Sequence, residues 1–81
     1  MAEDHLRISM SEMTAGEEGV VLEYQRGCMF KSRLASLGFT PGARVSMTQN
    51  YGHGPLIVTV RGTLVALGRG EAAKIIVERG H

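Results

Sequence analysis

Apolar and polar residues alternate along much of this chain, which is the pattern of half-buried β-strands. The clearest run is Leu56-Ile57-Val58-Thr59-Val60, in which residues 56, 58 and 60 fall on one face. Similar runs rich in β-branched residues predict further strands at residues 20–24, 43–48, 63–67 and 73–77. The pattern therefore predicts five short strands, separated by glycine-rich turns.

Two segments have a helical spacing instead. Phe30, Leu34 and Leu37 are spaced by four and three residues, which predicts a helix over residues 28–37 with one apolar stripe. Met10 and Met13 lie three residues apart and predict one short helical turn near the N-terminus. Five strands, one helix and tight turns in 81 residues predict a mainly β fold, a small and partly open β-barrel.

The helix is expected to end in a rigid corner, within Leu34-Ala35-Ser36-Leu37-Gly38-Phe39-Thr40-Pro41-Gly42. Glycine tolerates the left-handed backbone that ends a helix, and Pro-Gly suits the two central positions of a type II turn. We expect this corner to be structural, without a chemical role. Its residues are Leu34, Leu37, Gly38, Pro41 and Gly42.

Length and charge limit the further possibilities. A chain of 81 residues has room for one domain, predicted at residues 8–79 after a flexible N-terminal arm of residues 1–7. The net charge of +1 gives no bulk attraction to nucleic acid or an anionic membrane. One cysteine forms no intrachain disulfide, and no signal peptide or membrane span is recognisable. These features predict a soluble cytoplasmic protein.

No catalytic constellation emerges from the motifs. Residues 68–73 fit the dinucleotide pattern G-x-G-x-x-A, but too few residues follow for a helix and a returning strand, so a turn is predicted. Cys28 lies near the predicted helix start and is expected to be a small, half-buried side chain rather than a nucleophile. We predict neither enzymatic activity nor a cofactor.

The three histidines are His5, His53 and His81, and none has the spacing of a metal-binding pair. His53 lies between glycines in a loop predicted at residues 50–54, which favours its exposure. Metal binding at His53, either adventitious or bridging a dimer, stays open beside plain solvent exposure.

Basic residues offer a candidate surface, because Arg26, Lys31, Arg33, Arg44 and Arg61 could converge on folding. The alternative is a solvated face with scattered charge. Few aromatic side chains are available for base stacking, so an acidic protein partner is favoured over RNA. The residues predicted to bind this partner are Lys31, Arg33, Ser36, Arg44 and Arg61.

The corner and its flanks also resemble a known family. Residues 33–42, RLASLGFTPG, are similar to the R-L-x-x-L-G-hydrophobic-x-P-G run of the FeoA family, from the bacterial ferrous iron transport system. Similarity extends from about Ile8 to Val77 and includes GEEG at residues 16–19 and GTLVAL at residues 62–67. Two loops depart from the family pattern. GHGP at residues 52–55 replaces a frequent Gly-Asp-Pro, and Gly68 occupies the position after the strand where the family usually has an arginine, with Arg69 following it.

The resemblance implies an SH3-like β-barrel with a helix inserted after the first strand. It also implies a partner, the membrane iron permease FeoB, which carries a cytosolic GTP-binding domain. The expected function is that of a non-enzymatic accessory or regulatory protein of Fe²⁺ uptake, recruited to the inner membrane through this partner, with a weak homodimer left open. If such a protein supplied an arginine to phosphoryl transfer, Arg33 or Arg61 would be the candidates.

Two other functions remain open at this point. One is an SH3-like nucleic-acid-binding module, against which the low net charge argues. The other is a stand-alone metal-responsive domain like that at the end of iron- and manganese-dependent repressors, although this chain has no pair of helices predicted to bind DNA.

Overall fold

Residues 6–80 form one β-sheet of six strands, one more than the sequence pattern predicts. A computed structural model describes residues 6–80. In chain order the elements are β1 (Arg7–Ser9), a 3₁₀ helix (Met10–Glu12), β2 (Glu18–Tyr24), α1 (Lys31–Leu37), β3 (Arg44–Gln49), β4 (Leu56–Val60), β5 (Thr63–Leu67), α2 (Arg69–Ala72) and β6 (Ile75–Arg79). The mainly β architecture with a helix inserted after the predicted first strand, here β2, is thereby confirmed.

The strands follow the order β1-β6-β2-β3-β4-β5, and every neighbouring pair is antiparallel. The register shifts twice, between Val21 and Glu23 on β2 and between Met47 and Gln49 on β3. Such irregularities bend and twist a sheet locally. β1 and β5 form the two edges of the sheet, and α1 connects β2 to β3.

β1 is the strand that the sequence pattern missed. It pairs with β6 through Arg7↔Glu78 and Ser9↔Ile76. A strand of three residues is too short to show an alternation, so only its pairing with β6 defines it. Of the predicted arm, residues 1–5 lie outside the described part of the chain, and Arg7 begins β1.

The inserted helix begins at Lys31 and not at Cys28 as predicted. Before it, the N–H of Cys28 donates to the carbonyl of Gln25 at 3.1 Å, and Gly27 has a φ of 83°. This turn directs Cys28 into the core, so the chain becomes helical only afterwards. Phe30, assigned to the buried stripe, precedes the helix and is 39% exposed, which corrects that prediction.

The last strand begins two residues later than the sequence pattern predicts. The Gly68–Ala73 stretch, predicted as a turn, contains the single helical turn α2. The hydrogen bonds of this turn extend to Lys74, whose N–H donates to the carbonyl of Glu71 at 3.0 Å. The last strand therefore begins at Ile75, where Ala73 was predicted.

The core lies between the curved sheet, α1 and the 3₁₀ helix. The predicted inward residues of β4 and the two methionines of the predicted N-terminal helical turn, Met10 and Met13, are buried. Phe39, just after α1, is fully buried as well. Within residues 6–80 no polar or charged residue is buried, so apolar packing supplies the core.

Candidate partner-binding surface

The corner after α1 is fixed by backbone hydrogen bonds. The N–H of Phe39 donates to the carbonyl of Leu34 at 3.0 Å, and that of Gly38 donates to Ala35 at 3.0 Å. With Gly38 at φ 108°, these two bonds form the Schellman motif that ends many helices. Leu34 and Phe39, the two residues whose apolar side chains often meet in this motif, are both fully buried in the same core cluster.

A turn follows and redirects the chain into β3. The N–H of Ala43 donates to the carbonyl of Thr40 at 2.9 Å, with Pro41 and Gly42 at the central positions. Gly42 has a φ of 92°, as a type II turn requires at its third position. Gly42 also donates to the carbonyl of Val21 at 2.7 Å, which ties the turn to β2.

A tyrosine hydroxyl supports the same corner from β2. The hydroxyl of Tyr24 donates to the carbonyl of Phe39 at 2.5 Å. Burial raises the pKa of Tyr24, and the nearby Cys28 thiol adds to this effect. The neutral hydroxyl that this hydrogen bond needs is therefore the favoured form.

Arg33 projects from α1 but is already engaged within the molecule. Its guanidinium forms an ion pair with the carboxylate of Glu71, which also accepts the N–H of Gly68 at 3.1 Å. The Glu71 side chain is 17% exposed. Because this mostly buried carboxylate would lose its charged partner, moving Arg33 away from Glu71 has a cost, although the Arg33 side chain is itself 54% exposed. Its observed role is to join α1 to α2.

Ser36 and Arg61 also have internal contacts. The Ser36 hydroxyl donates to the carbonyl of Ser32 at 2.8 Å, one helical turn earlier. Arg61 donates to the Thr40 hydroxyl at 3.3 Å. The position of a Cβ added to Gly38 would be 3.4 Å from Arg61 Cδ, so this side chain covers the C-terminal end of α1.

Lys31 and Arg44 are the other two residues predicted to bind a partner. Both are exposed, and neither makes an ion pair within residues 6–80. Arg44 precedes Val45, which pairs with Val60, so Arg44 and Arg61 leave the sheet at the same end. The pairing of β3 with β4 thus places Arg44 and Arg61 at the same end of the sheet, whereas Lys31 is the first residue of α1, at the helix end away from the corner.

Charge is segregated along the chain in a way that net charge hides. No aspartate or glutamate occurs between residues 24 and 70, a segment that includes α1 and β3–β5. The cations of this segment are Arg26, Lys31, Arg33, Arg44, Arg61 and Arg69. Of these, Arg33 alone forms an ion pair within the described part of the chain. This segment therefore presents mainly positive charge.

The structure also exposes apolar side chains that sequence reasoning missed. Met29 is 90% exposed and the adjacent Phe30 is 39% exposed, whereas Cys28 before them is buried. Helical spacing assigned Phe30 to the core and gave no signal for Met29. The signal that could have found them is the sequence Arg-Gly directly before Cys28, since a turn there delays the helix.

The His53 loop is held by hydrogen bonds. Asn50 Oδ1 accepts the N–H of Gly52 at 2.9 Å and the guanidinium of Arg69 at 2.7 Å. Arg69 also donates to the carbonyl of Gly54 at 3.0 Å. His53 itself is exposed, and residues 6–80 contain no cluster of three or more potential metal ligands. His5 and His81 lie outside the described residues.

Outside the positively charged segment, Glu17 accepts two hydrogen bonds from Arg79, of 2.9 and 3.1 Å. Glu17 also accepts the backbone N–H of Thr14 at 2.8 Å. The bond from Arg79 and then that from Thr14 hold the pKa of Glu17 below its ordinary value. This carboxylate ties the segment before β2 to β6.

The curved antiparallel sheet, the helix inserted between β2 and β3 and the corner that follows it define a small SH3-like β-domain. A model of the FeoA domain matches residues 8–79. The chain belongs to the FeoA domain family.

Individual relatives agree with this family. A protein of Methanocaldococcus jannaschii with the provisional name Fe(2+) transport protein A is 40% identical over 63 residues, which cover 78% of this chain and 76% of that protein. The crystal structure of an iron uptake regulatory protein, FeoA, is 31% identical with a TM-score of 0.84, covering 91% of this chain and 97% of that one. FeoA of Stenotrophomonas maltophilia, described as an SH3 domain protein complexed with zinc, is 29% identical with a TM-score of 0.78, covering 91% and 96%.

The fold is shared more widely. A manganese-dependent transcriptional repressor is 20% identical with a TM-score of 0.79, and this chain covers 41% of it. At this identity the likeness concerns the fold alone. Within residues 6–80, no helix is long and apolar enough to cross a membrane.

Proposed function

We propose that this protein is a non-enzymatic accessory protein of Fe²⁺ uptake that acts in the cytoplasm by binding the iron permease FeoB. Membership of the FeoA family is the observation that carries this proposal. The description of the Stenotrophomonas maltophilia relative as a candidate activating factor of ferrous iron transport supports an accessory role. The exposed, positively charged α1 side of the molecule provides a surface for such a partner.

The five predicted partner-binding residues divide into two groups under this proposal. Lys31 and Arg44 are exposed cations without an ion pair in the described residues, so they are available to an acidic surface. Arg33 contacts Glu71 and Arg61 contacts Thr40, whereas Ser36 contacts the helix backbone. We propose that these three residues shape the surface. Arg33 would have to leave Glu71 before it could assist phosphoryl transfer in another molecule.

Complex formation with FeoB tests the proposal. Purified protein is titrated into full-length permease in nanodiscs and, separately, into its cytosolic part, with binding followed by interferometry. We expect saturable binding, and Fe²⁺ uptake that falls when the gene for this protein is deleted from cells and returns when it is restored. Absence of binding to both forms of the permease would refute the proposal.

A nucleic acid is the second candidate partner, because residues 24–70 carry no acidic side chain. Binding of this kind weakens steeply with salt, since cations on the protein displace counterions from phosphates. We expect no shift of RNA or DNA oligonucleotides at physiological salt. Tight binding with a steep salt dependence would instead favour a nucleic-acid-binding module.

A metal-dependent role is the third candidate, because the Stenotrophomonas maltophilia relative is described in complex with zinc. In the described residues the candidate ligand is His53, which is exposed. Calorimetric titration with Fe²⁺ and Zn²⁺ of wild type and His53→Ala tests this role. A binding signal lost in the variant would support it, and an unchanged signal would exclude the His53 loop.

A further inference from the structure

The segment from Arg26 to Lys31, here called the 26–31 segment, exposes two adjacent apolar side chains. Met29 is 90% exposed and Phe30 39% exposed. The other large exposed apolar residues in the described chain, Tyr51 and Leu64, are isolated from each other in sequence. Single apolar side chains on a surface need no explanation, whereas contiguous apolar surface often marks an interaction site.

The exposure of Met29 is imposed by its fixed neighbours. Cys28 is 8% exposed and its N–H donates to Gln25, so the chain is anchored in the core one residue earlier. One residue later, the carbonyl of Phe30 accepts the N–H of Leu34 at 2.9 Å and fixes the start of α1. Met29 is therefore held outward on a backbone that is ordered from both sides. An ordered segment loses little conformational entropy when it binds.

Basic residues flank these apolar side chains in the sequence. Arg26 and Lys31 flank them, are exposed, and form no ion pair within residues 6–80. The nearest acidic residue before the segment, Glu23, is paired with Arg7. A surface that accepts this segment would gain most from carboxylates placed around an apolar pocket.

The apolar area also distinguishes between types of partner. Even a single myristoyl chain, with about 14 carbons, gives only marginal membrane binding. Two side chains are therefore too few to hold the protein on a lipid surface. A symmetric contact between two copies of this chain would place Arg26 and Lys31 near the same cations of the second copy, which is unfavourable. A shaped pocket in another protein meets neither difficulty.

We propose that the 26–31 segment is the anchor with which this protein binds its partner, and that Met29 and Phe30 enter an apolar protein pocket bordered by Asp or Glu side chains. Arg26 and Lys31 pair with these carboxylates. Where the partner is the permease, this inference rests on the proposed function. Since one short segment is much smaller than a standard interface, the contact is expected to be transient.

The test compares Met29→Gln with wild type in binding to the permease, and uses Leu64→Gln as the matched control. Leu64 is 65% exposed on β5, so both variants remove an exposed apolar side chain without opening the core. We expect Met29→Gln to weaken binding about tenfold or more, as for an anchoring residue, and Leu64→Gln to leave it within about twofold. Lys31→Glu is expected to weaken binding and to reduce its dependence on salt. Equal unfolding temperatures would confirm that the variants remain folded.

Each other outcome has a distinct meaning. If wild type binds and Met29→Gln binds equally well, the 26–31 segment is not the anchor and the proposed function stands. If wild type fails to bind the permease, the proposed function falls, and this inference falls with it. Met29-dependent flotation with vesicles of phosphatidylglycerol, or self-association that Met29→Gln abolishes, would assign the segment to a membrane or to a second copy and overturn the proposal.

Discussion

The close approach of β2 and β6 leads to a sharp prediction for Gly19. A Cβ added there would lie 2.9 Å from the backbone carbonyl oxygen of Glu78 and 3.5 Å from Met13 Cε. Carbon–oxygen contacts of this kind are normally no closer than about 3.3 Å. Because the obstructing atom belongs to the backbone of the neighbouring strand, relief requires the two strands to separate. Gly19→Ala should therefore strain the centre of the sheet.

The expected magnitude follows from two opposing terms. Overpacking of this kind typically costs about 1–3 kcal/mol. Replacing glycine restricts the unfolded chain, which returns about 0.4–1 kcal/mol. From the central values of these two ranges, the free energy of unfolding should fall by about 1.3 kcal/mol. For a domain of this size each kcal/mol corresponds to roughly 4–8 °C in Tm.

Thermal and urea unfolding followed by circular dichroism measure this effect, with Gly70→Ala as the control. Gly70 lies inside α2, has no atom within 4 Å of an added Cβ, and does not have a positive φ. The same substitution there should be neutral or stabilising by up to about 1 kcal/mol. A Gly19→Ala variant as stable as wild type would refute the argument that the two strands require glycine at this contact.

Three further predictions concern the corner after α1 and the ion pair between Glu17 and Arg79. Leu34→Ala empties a fully buried site at the helix end and should cost about 2–5 kcal/mol by urea unfolding; a loss typical of a surface site would contradict its place in the core. Tyr24→Phe removes the hydrogen bond to the Phe39 carbonyl and should cost about 0.5–1.5 kcal/mol, whereas an unchanged midpoint would mean that water replaces the hydroxyl. The lowered pKa of Glu17 means that its contribution to stability is present above the ordinary pKa of 4.5 and is lost as the pH falls through the lowered value; Glu17→Gln should therefore be less stable than wild type at pH 7 and approach it in acid, and a constant difference from pH 7 to pH 2 would contradict the linkage to Arg79.

Much of the fold follows from local pattern. Alternation in β4 predicted its inward residues, and Gly38, Pro41 and Gly42 predicted the helix end and the turn after it. These features depend on side-chain periodicity and on the backbone freedom of particular residues, which neighbours in sequence determine. The family resemblance of residues 33–42 rests on the same corner.

The candidate surface was harder to predict, since it depends on which residues meet in space. The sequence predicted Lys31, Arg33 and Arg61 alike as partner-binding residues, because all three are basic. The structure separates them: Arg33 pairs with Glu71, 38 positions later in the chain, and Arg61 covers Gly38. Lys31 remains without an ion pair in the described residues. Pairing over such sequence distances leaves no periodic signal.

The sequence by itself determined the apolar alternation, the corner and the absence of acidic side chains between residues 24 and 70. The tertiary structure decided that β1 adds to β6, where α1 begins, and that Met29 faces outward. Strand β1 exists because β6 offers hydrogen-bonding groups along its edge, and Met29 is exposed because Cys28 enters the core beside it. Local conformation is encoded by adjacent residues, whereas burial and pairing depend on what the rest of the chain brings into contact.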